Sequence, residues 1–168
     1  MLTLLHEAEL ELPKLLTSTE GWKSLLVDYH PPMVERVYRE WRGLRLNLHW
    51  IHPCAPEDAL FHPHPWPSAM RVISGSYEMG VGHGPRGKTP PIAARILASG
   101  PMEYEMTDPD AWHYVRPLSG VAMTVMVSGK PWDVVTPKEA QPHRPLPALS
   151  PARVEETLAA YRKIYPLR

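Results

Sequence analysis

Between Leu44 and Ile51 the chain alternates, with Leu44, Leu46, Leu48 and Trp50 on one side and Arg45, Asn47, His49 and Ile51 on the other. That period of two predicts a half-buried strand. Further strand-like segments follow near 59–62, 69–73, 76–82, 92–98, 102–106, 112–116 and 121–127. Gly and Pro turns separate them, at 74–76, 99–101 and 128–131. Many short strands at this spacing predict a sandwich or barrel. Residues 2–40 read instead as three short helices. The first carries Leu4, Leu5, Leu10 and Leu15–Leu16 and is interrupted by Pro13. The second, capped by Ser18 or Thr19, carries Trp22, Leu25 and Leu26; the third, after Pro31–Pro32, carries Met33, Val34, Val37, Tyr38 and Trp41. Their apolar faces are expected to cover one side of the main body. Past Trp132, TPKEAQPHRPLPALSP predicts an extended surface strap. Ser150 and Pro151 give N-cap and N1 signals for a last amphipathic helix with Val154, Leu158, Tyr161 and Ile164.

The expected organisation is a single mainly β domain. Residues 1–43 form a helical segment packed on it, 44–135 the body, and 136–168 the strap and terminal helix. The length of 168 residues suits one domain. The 21 prolines favour short strands and turns over long helices.

Charge narrows the partners. Eighteen basic residues balance eighteen acidic ones, so no global positive field draws the chain to nucleic acid or an anionic membrane. The single Cys54 makes no internal disulfide, and the acidic N-terminal stretch MLTLLHEAELEL does not read as a secretory signal. A cytoplasmic location is the default expectation. Exposed sheet edges make a homodimer reasonable.

Two motifs invite chemistry. GHGPRGKT at 82–89 matches the phosphate-loop pattern, but Pro90 and Pro91 remove two backbone donors where the phosphate-binding helix has to begin. A hairpin loop is the better reading. FHPHPW at 61–66 is different. His62 and His64, two apart on one strand, face the same way and can reach one ion. His113 in TDPDAWHYV is the best third candidate, opening another short strand after a turn. Three neutral imidazoles leave positions open for water, dioxygen or substrate. His6, His30, His52, His83 and His143 read as solvated or locally hydrogen-bonded. For His49, a fourth ligand or a general base is an alternative to the bland reading.

These residues resemble the cupin superfamily. Its first motif, G(x)5HxH(x)3-4E(x)6G, is matched by His62, His64 and Gly75, and its second is echoed by Pro109 and His113. HPHPW followed by an apolar strand, a Gly turn and SYEMGV looks like a group of small bacterial cupins. The resemblance covers roughly 44–133 and implies a jelly-roll barrel with the ion inside. Pro56 replaces the first glycine, Ser68 or Ala69 stands at the glutamate position, and Pro117 replaces the final asparagine. The carboxylate ligand is therefore missing. A three-histidine cupin is similar to thiol dioxygenases and some diketone-cleaving dioxygenases, which use ferrous iron. The expected function is thus a mononuclear metal cupin, with Fe(II) favoured and Zn, Ni or Cu accepted by the same ligands. It binds, and is expected to oxidise, a small polar molecule. A noncatalytic binding or sensing cupin is the alternative, and metal-assisted isomerisation or hydrolysis a third.

Strand parity supplies the surrounding residues. If His62 and His64 face inward, Arg45, Asn47 and His49 make an inner polar row, with Arg45 suited to a substrate carboxylate; an outward row is the equal alternative. Met70 and Val72 continue the histidine face, and Tyr77, Met79, Tyr104 and Met106 form a second apolar set. Of these, Met70 and Tyr104 are substrate-contact candidates. Ser68, Trp66 and Tyr114 are candidates to orient the ligands or close the mouth.

Overall fold

A computed structural model describes residues 1–167. Helix α1 (Leu2–Leu15) is followed by β1 (Lys23–Val27), β2 (Val34–Trp41), β3 (Leu44–Ile51), β4 (His62–Pro63), β5 (Ser68–Ser74) and β6 (Ser76–His83). Then come β7 (Ala94–Ser99), β8 (Glu103–Met106), β9 (Ala111–Pro117), β10 (Ala122–Ser128) and helix α2 (Pro151–Ile164). The strands build two antiparallel sheets, one ordered β1-β2-β3-β10-β5-β8 and the other β4-β9-β6-β7. The architecture is mainly β, two antiparallel sheets with one α-helix near each end. Among the described residues no helix is long and apolar enough to cross a membrane.

Helix α1 forms as its leucine spacing predicts. It runs through Pro13 rather than breaking there, and buries Leu5, Ala8 and Leu12 at helical spacing, with Leu16 just beyond its end. Helix α2 starts at the signalled cap, where the Ser150 hydroxyl accepts from the Arg153 amide at 3.2 Å.

The second and third helices expected in 2–40 are strands. Helical spacing at Val34, Val37, Tyr38 and Trp41 misleads because β2 is covered on both faces. Val37 and Trp41 pack toward the helices, while Val34 and Arg36 line a cavity between the sheets. Apolar residues on both faces of a strand erase its alternation. The segment 1–43 is therefore one helix plus two strands that extend the sheet begun by β3, and β2 pairs with β3 along its whole length.

The six-stranded sheet separates two environments. Leu46, Leu48, Val125 and Val127 meet α1 and α2 on its outer face. On its inner face Ile51, Val72 and Ala122 join Tyr77, Met79 and Ala98 of the facing sheet, closing one end of the space between them. The other end remains open as the cavity.

Glu35, on the outward side of β2, ties α2 to this sheet. It accepts from Arg153 and lies 2.9 Å from His52 Nε2. Burial by itself would raise the Glu35 carboxyl, but hydrogen bonds and charge from Arg153 and His52 outweigh it, and the net shift is downward. A depressed folded-state value means stability that is present above the ordinary carboxylate range and lost as pH falls through the folded value. Glu35→Gln is expected to lower stability by about 1–2 kcal/mol at pH 7. In urea titrations repeated at successive pH values, the gap from wild type should close once the pH drops below the ordinary glutamate range.

Candidate metal centre

Strands β4 and β9 pair with His62 opposite His113. Strand β4 ends at Pro63, so His64 sits just beyond it rather than within a continuous strand. Strand β4 is the edge of its sheet, where a proline that donates no hydrogen bond is tolerated. One nitrogen from each of His62, His64 and His113 lies within 4.8 Å of the others. Nε2 of His64 and Nε2 of His113 are 2.9 Å apart.

The surroundings prepare these rings as donors. His62 Nδ1 is 2.9 Å from the Leu60 carbonyl, which only an N–H can satisfy, so Nε2 is left with its lone pair. His64 Nδ1 is 3.3 Å from the Ser68 hydroxyl. Burial holds His62 down to about 4 and His113 to about 3, and His64 lies well below the ordinary range. All three are neutral near pH 7, the form that binds metal. Metal–nitrogen bonds of about 2.0–2.1 Å put ligands at right angles about 2.9 Å apart and ligands at the tetrahedral angle about 3.3 Å apart. The His64–His113 separation matches the first. Two neutral imidazoles this close, and a third beside them, fit a divalent ion that accepts nitrogen ligands. His113 Nδ1 is buried without a hydrogen-bond partner among the described residues, so its ring lacks the orienting bond the other two have.

The histidines border a cavity of about 500 Å³. Its walls come from β1, β2 and β3, from the HPHPW turn, and from the strap at Thr136, Ala140, Gln141, Pro142 and Leu146. The strap is fastened as a cover: Tyr29 donates to the Ala140 carbonyl at 3.2 Å and Arg144 pairs with Asp28 at 2.7 Å.

The other expected site residues divide. Arg45, His49, Met70 and Trp66 line this cavity. Arg45 is at the exposed rim, stacked on Tyr38 at 4.6 Å. Asn47 is buried but is not part of the lining. Its amide donates to the Arg45 and Met126 carbonyls and toward the Ser128 hydroxyl, so it braces the sheet. His49 is outside the histidine cluster. Both its nitrogens are engaged, Nε2 accepting from Arg36 at 2.8 Å and Nδ1 at 3.0 Å from Thr124 Oγ1. The Tyr104 hydroxyl is 3.1 Å from the Met70 sulfur and 2.9 Å from the Tyr77 hydroxyl, and its ring centroid is 6.4 Å from that of His113, without lining the cavity. Tyr114 alternates away from His113 onto the opposite face, where it donates to Glu78 at 2.8 Å and lies flat over Gly80. A Cβ at Gly80 would be 2.0 Å from the Tyr114 ring. Tyr114 thus orients neither ligand.

Two cavity residues escaped the sequence reading. His30, read as solvated or locally hydrogen-bonded, does place Nδ1 3.1 Å from the Pro31 carbonyl, but it also lines the cavity, its ring centroid 5.4 Å from that of His62. Arg36 was hidden by the helical reading of 33–41. The signal available for it was the alternation of Val34, Arg36 and Tyr38, once two-sided burial is allowed.

No family model matches the chain, and no curated protein matches it. Among solved structures it is similar to hydroxypropylphosphonic acid epoxidase from S. wedmorenis, with 17% identity, a TM-score of 0.50, and coverage of 66% of this chain and 56% of that one. Apo-HppE gives 14% identity, a TM-score of 0.50 and coverage of 66% and 55%. KdgF from Halomonas sp. gives 13% identity, a TM-score of 0.46 and coverage of 62% and 87%. The chain spans little more than half the epoxidase's length. At these identities the likeness is one of fold.

Proposed function

We propose that this chain is a jelly-roll cupin that holds one divalent metal ion on His62, His64 and His113 and uses dioxygen to oxidise a small polar molecule. The observation that carries this reading is the convergence of three imidazole nitrogens, within 4.8 Å of one another, at the wall of a partly open cavity. No aspartate or glutamate lines that cavity among the described residues, so an ion held there keeps its full charge and has free positions. Iron(II) in such a site supplies redox chemistry toward dioxygen and polarises a bound oxygen or sulfur atom.

The chain's own residues do the rest. The Leu60 carbonyl and Ser68 hydroxyl orient His62 and His64. Met70, Met126, Trp66 and Val115 present apolar surface beside the histidines and, with the strap, limit bulk water.

Metal analysis of protein purified without added metal, followed by dioxygen-uptake assays of the iron-loaded protein on thiols, diketones and small hydroxy and keto acids, tests the proposal. About one ion per chain and uptake on at least one class are expected. One ion without uptake on any class would favour a noncatalytic binding cupin. Absence of a bound metal after titration with Fe(II), Zn(II), Ni(II) and Cu(II) would overturn the reading.

A further inference from the structure

Across the inner face of the six-stranded sheet, Leu25, Arg36, His49, Thr124 and Val72 stand side by side on five strands. Arg36 is the anomaly in this row, a guanidinium facing a partly open, largely apolar cavity. Its Nε donates to His49 Nε2 at 2.8 Å. A guanidinium only donates, so His49 Nε2 accepts, and the ring proton is on Nδ1, directed at Thr124 Oγ1 3.0 Å away. The chain Thr124–His49–Arg36 holds the guanidinium still. Its two terminal nitrogens make no hydrogen bond, and no carboxylate is within ion-pair distance, among the described residues.

The acids near Arg36 in sequence are committed elsewhere. Glu35 points to the opposite face toward Arg153 and His52, and Asp28 pairs with Arg144. Arg45 enters the same cavity at its rim. Burial, with Arg45's charge as the next cause, pushes Arg36 down to about 10, so it stays cationic at neutral pH. Arg36 is half-buried at the cavity wall, where a ligand that brings a negative charge finds a cation with no carboxylate already paired to it. The free edge of the guanidinium presents two parallel N–H groups, the geometry that receives both oxygens of a carboxylate.

From this arrangement we infer that the cavity binds a small organic carboxylate, its anionic end on Arg36 and its aliphatic body among Leu25, Val27, Val34, Ile51 and Leu146. That the bound molecule is also the substrate rests on the proposed function, because the same cavity reaches His62, His64 and His113. Arg45 at the rim draws the anion in. His49 is a positioning residue, acting only through Arg36.

Isothermal titration of the full-length protein with pentanoate, pentanamide and pentylamine tests the assignment. Wild type is expected to bind pentanoate about tenfold to a hundredfold more tightly than the neutral amide, and the amine not at all. Arg36→Gln should lose that preference and Arg36→Lys should recover part of it, with thermal unfolding confirming that each variant is folded. Metal content should be the same in wild type and Arg36→Gln. The preference should survive in metal-free His64→Ala protein, which separates binding to Arg36 from binding to a metal ion. Equal affinity for acid and amide would overturn the proposal. So would a preference that persists in Arg36→Gln but vanishes in His64→Ala, since the anion would then be a metal ligand and only the metal reading would stand. A preference that depends on Arg36 in protein that binds no metal would uphold the anion site and sink the metal reading.

Discussion

His64→Ala and His113→Ala proteins, purified beside wild type, are expected to retain less than about a tenth of its bound metal, with affinity lowered by at least about a hundredfold. Loss of a residue that merely orients a metal ligand costs about 10–100-fold, and loss of a ligand removes a direct bond as well. The two nitrogens deleted are the pair 2.9 Å apart, so each deletion breaks the preformed part of the site. Ser68→Ala, which removes only the hydroxyl beside His64 Nδ1, should weaken binding by about tenfold. The alanine variants should remain folded, because the imidazoles are held neutral by burial and their removal leaves no buried charge behind. Elemental analysis and a denaturation curve on each variant check both parts. Full metal occupancy in either alanine variant would refute the site.

The second large effect concerns the outer face of the same sheet. Tyr161 of α2 is fully buried, and its hydroxyl reaches the backbone carbonyls of His49 at 3.0 Å and Thr124 at 2.7 Å. Tyr161→Ala removes the ring from the core shared by both helices and is expected to cost about 3–5 kcal/mol, the range for deleting a large aromatic side chain. Tyr161→Phe keeps the ring and should cost about 1–3 kcal/mol for buried carbonyls left without that donor. The measurement is the shift in urea midpoint at unchanged slope. A Phe variant as unstable as the Ala variant would mean that the hydroxyl, not the packing, holds α2. Because His49 and Thr124 are the residues that steady Arg36, Tyr161→Phe also loosens the cavity wall from behind.

Much of this was legible in the residues. Strands β3 and β5 to β10 fall at or within two residues of the segments expected to be strands, because each is short and bounded by Gly or Pro turns that can be read locally. The Ser150–Pro151 cap and the apolar stripe of α2 were equally local. The closeness of His62 and His64 could be read from their spacing, although β4 ends at Pro63 and His64 reaches the cluster from just beyond it.

Other features were not. In Val34–Trp41 both faces are covered, so apolar residues occur at helical spacing in a strand, and Arg36 was lost with the strand. Tyr114 was placed beside the metal by adjacency to His113, although alternation sends it to the outer face. Tyr104 was a plausible cavity residue by parity, but its ring meets His113 at 6.4 Å without lining the cavity.

From the sequence alone came a mainly β chain with helical character at both ends, a pair of histidines two residues apart and no carboxylate four or five residues after the second. These follow from periodicity, capping and spacing, which act over a few residues. The tertiary structure alone decided that His113 faces that pair across β4 and β9, that β1 and β2 complete the sheet, and that Arg36 meets the cavity with no acid beside it. Each of those depends on which strands pair and in what register, and pairing is set by contacts between residues far apart in the chain.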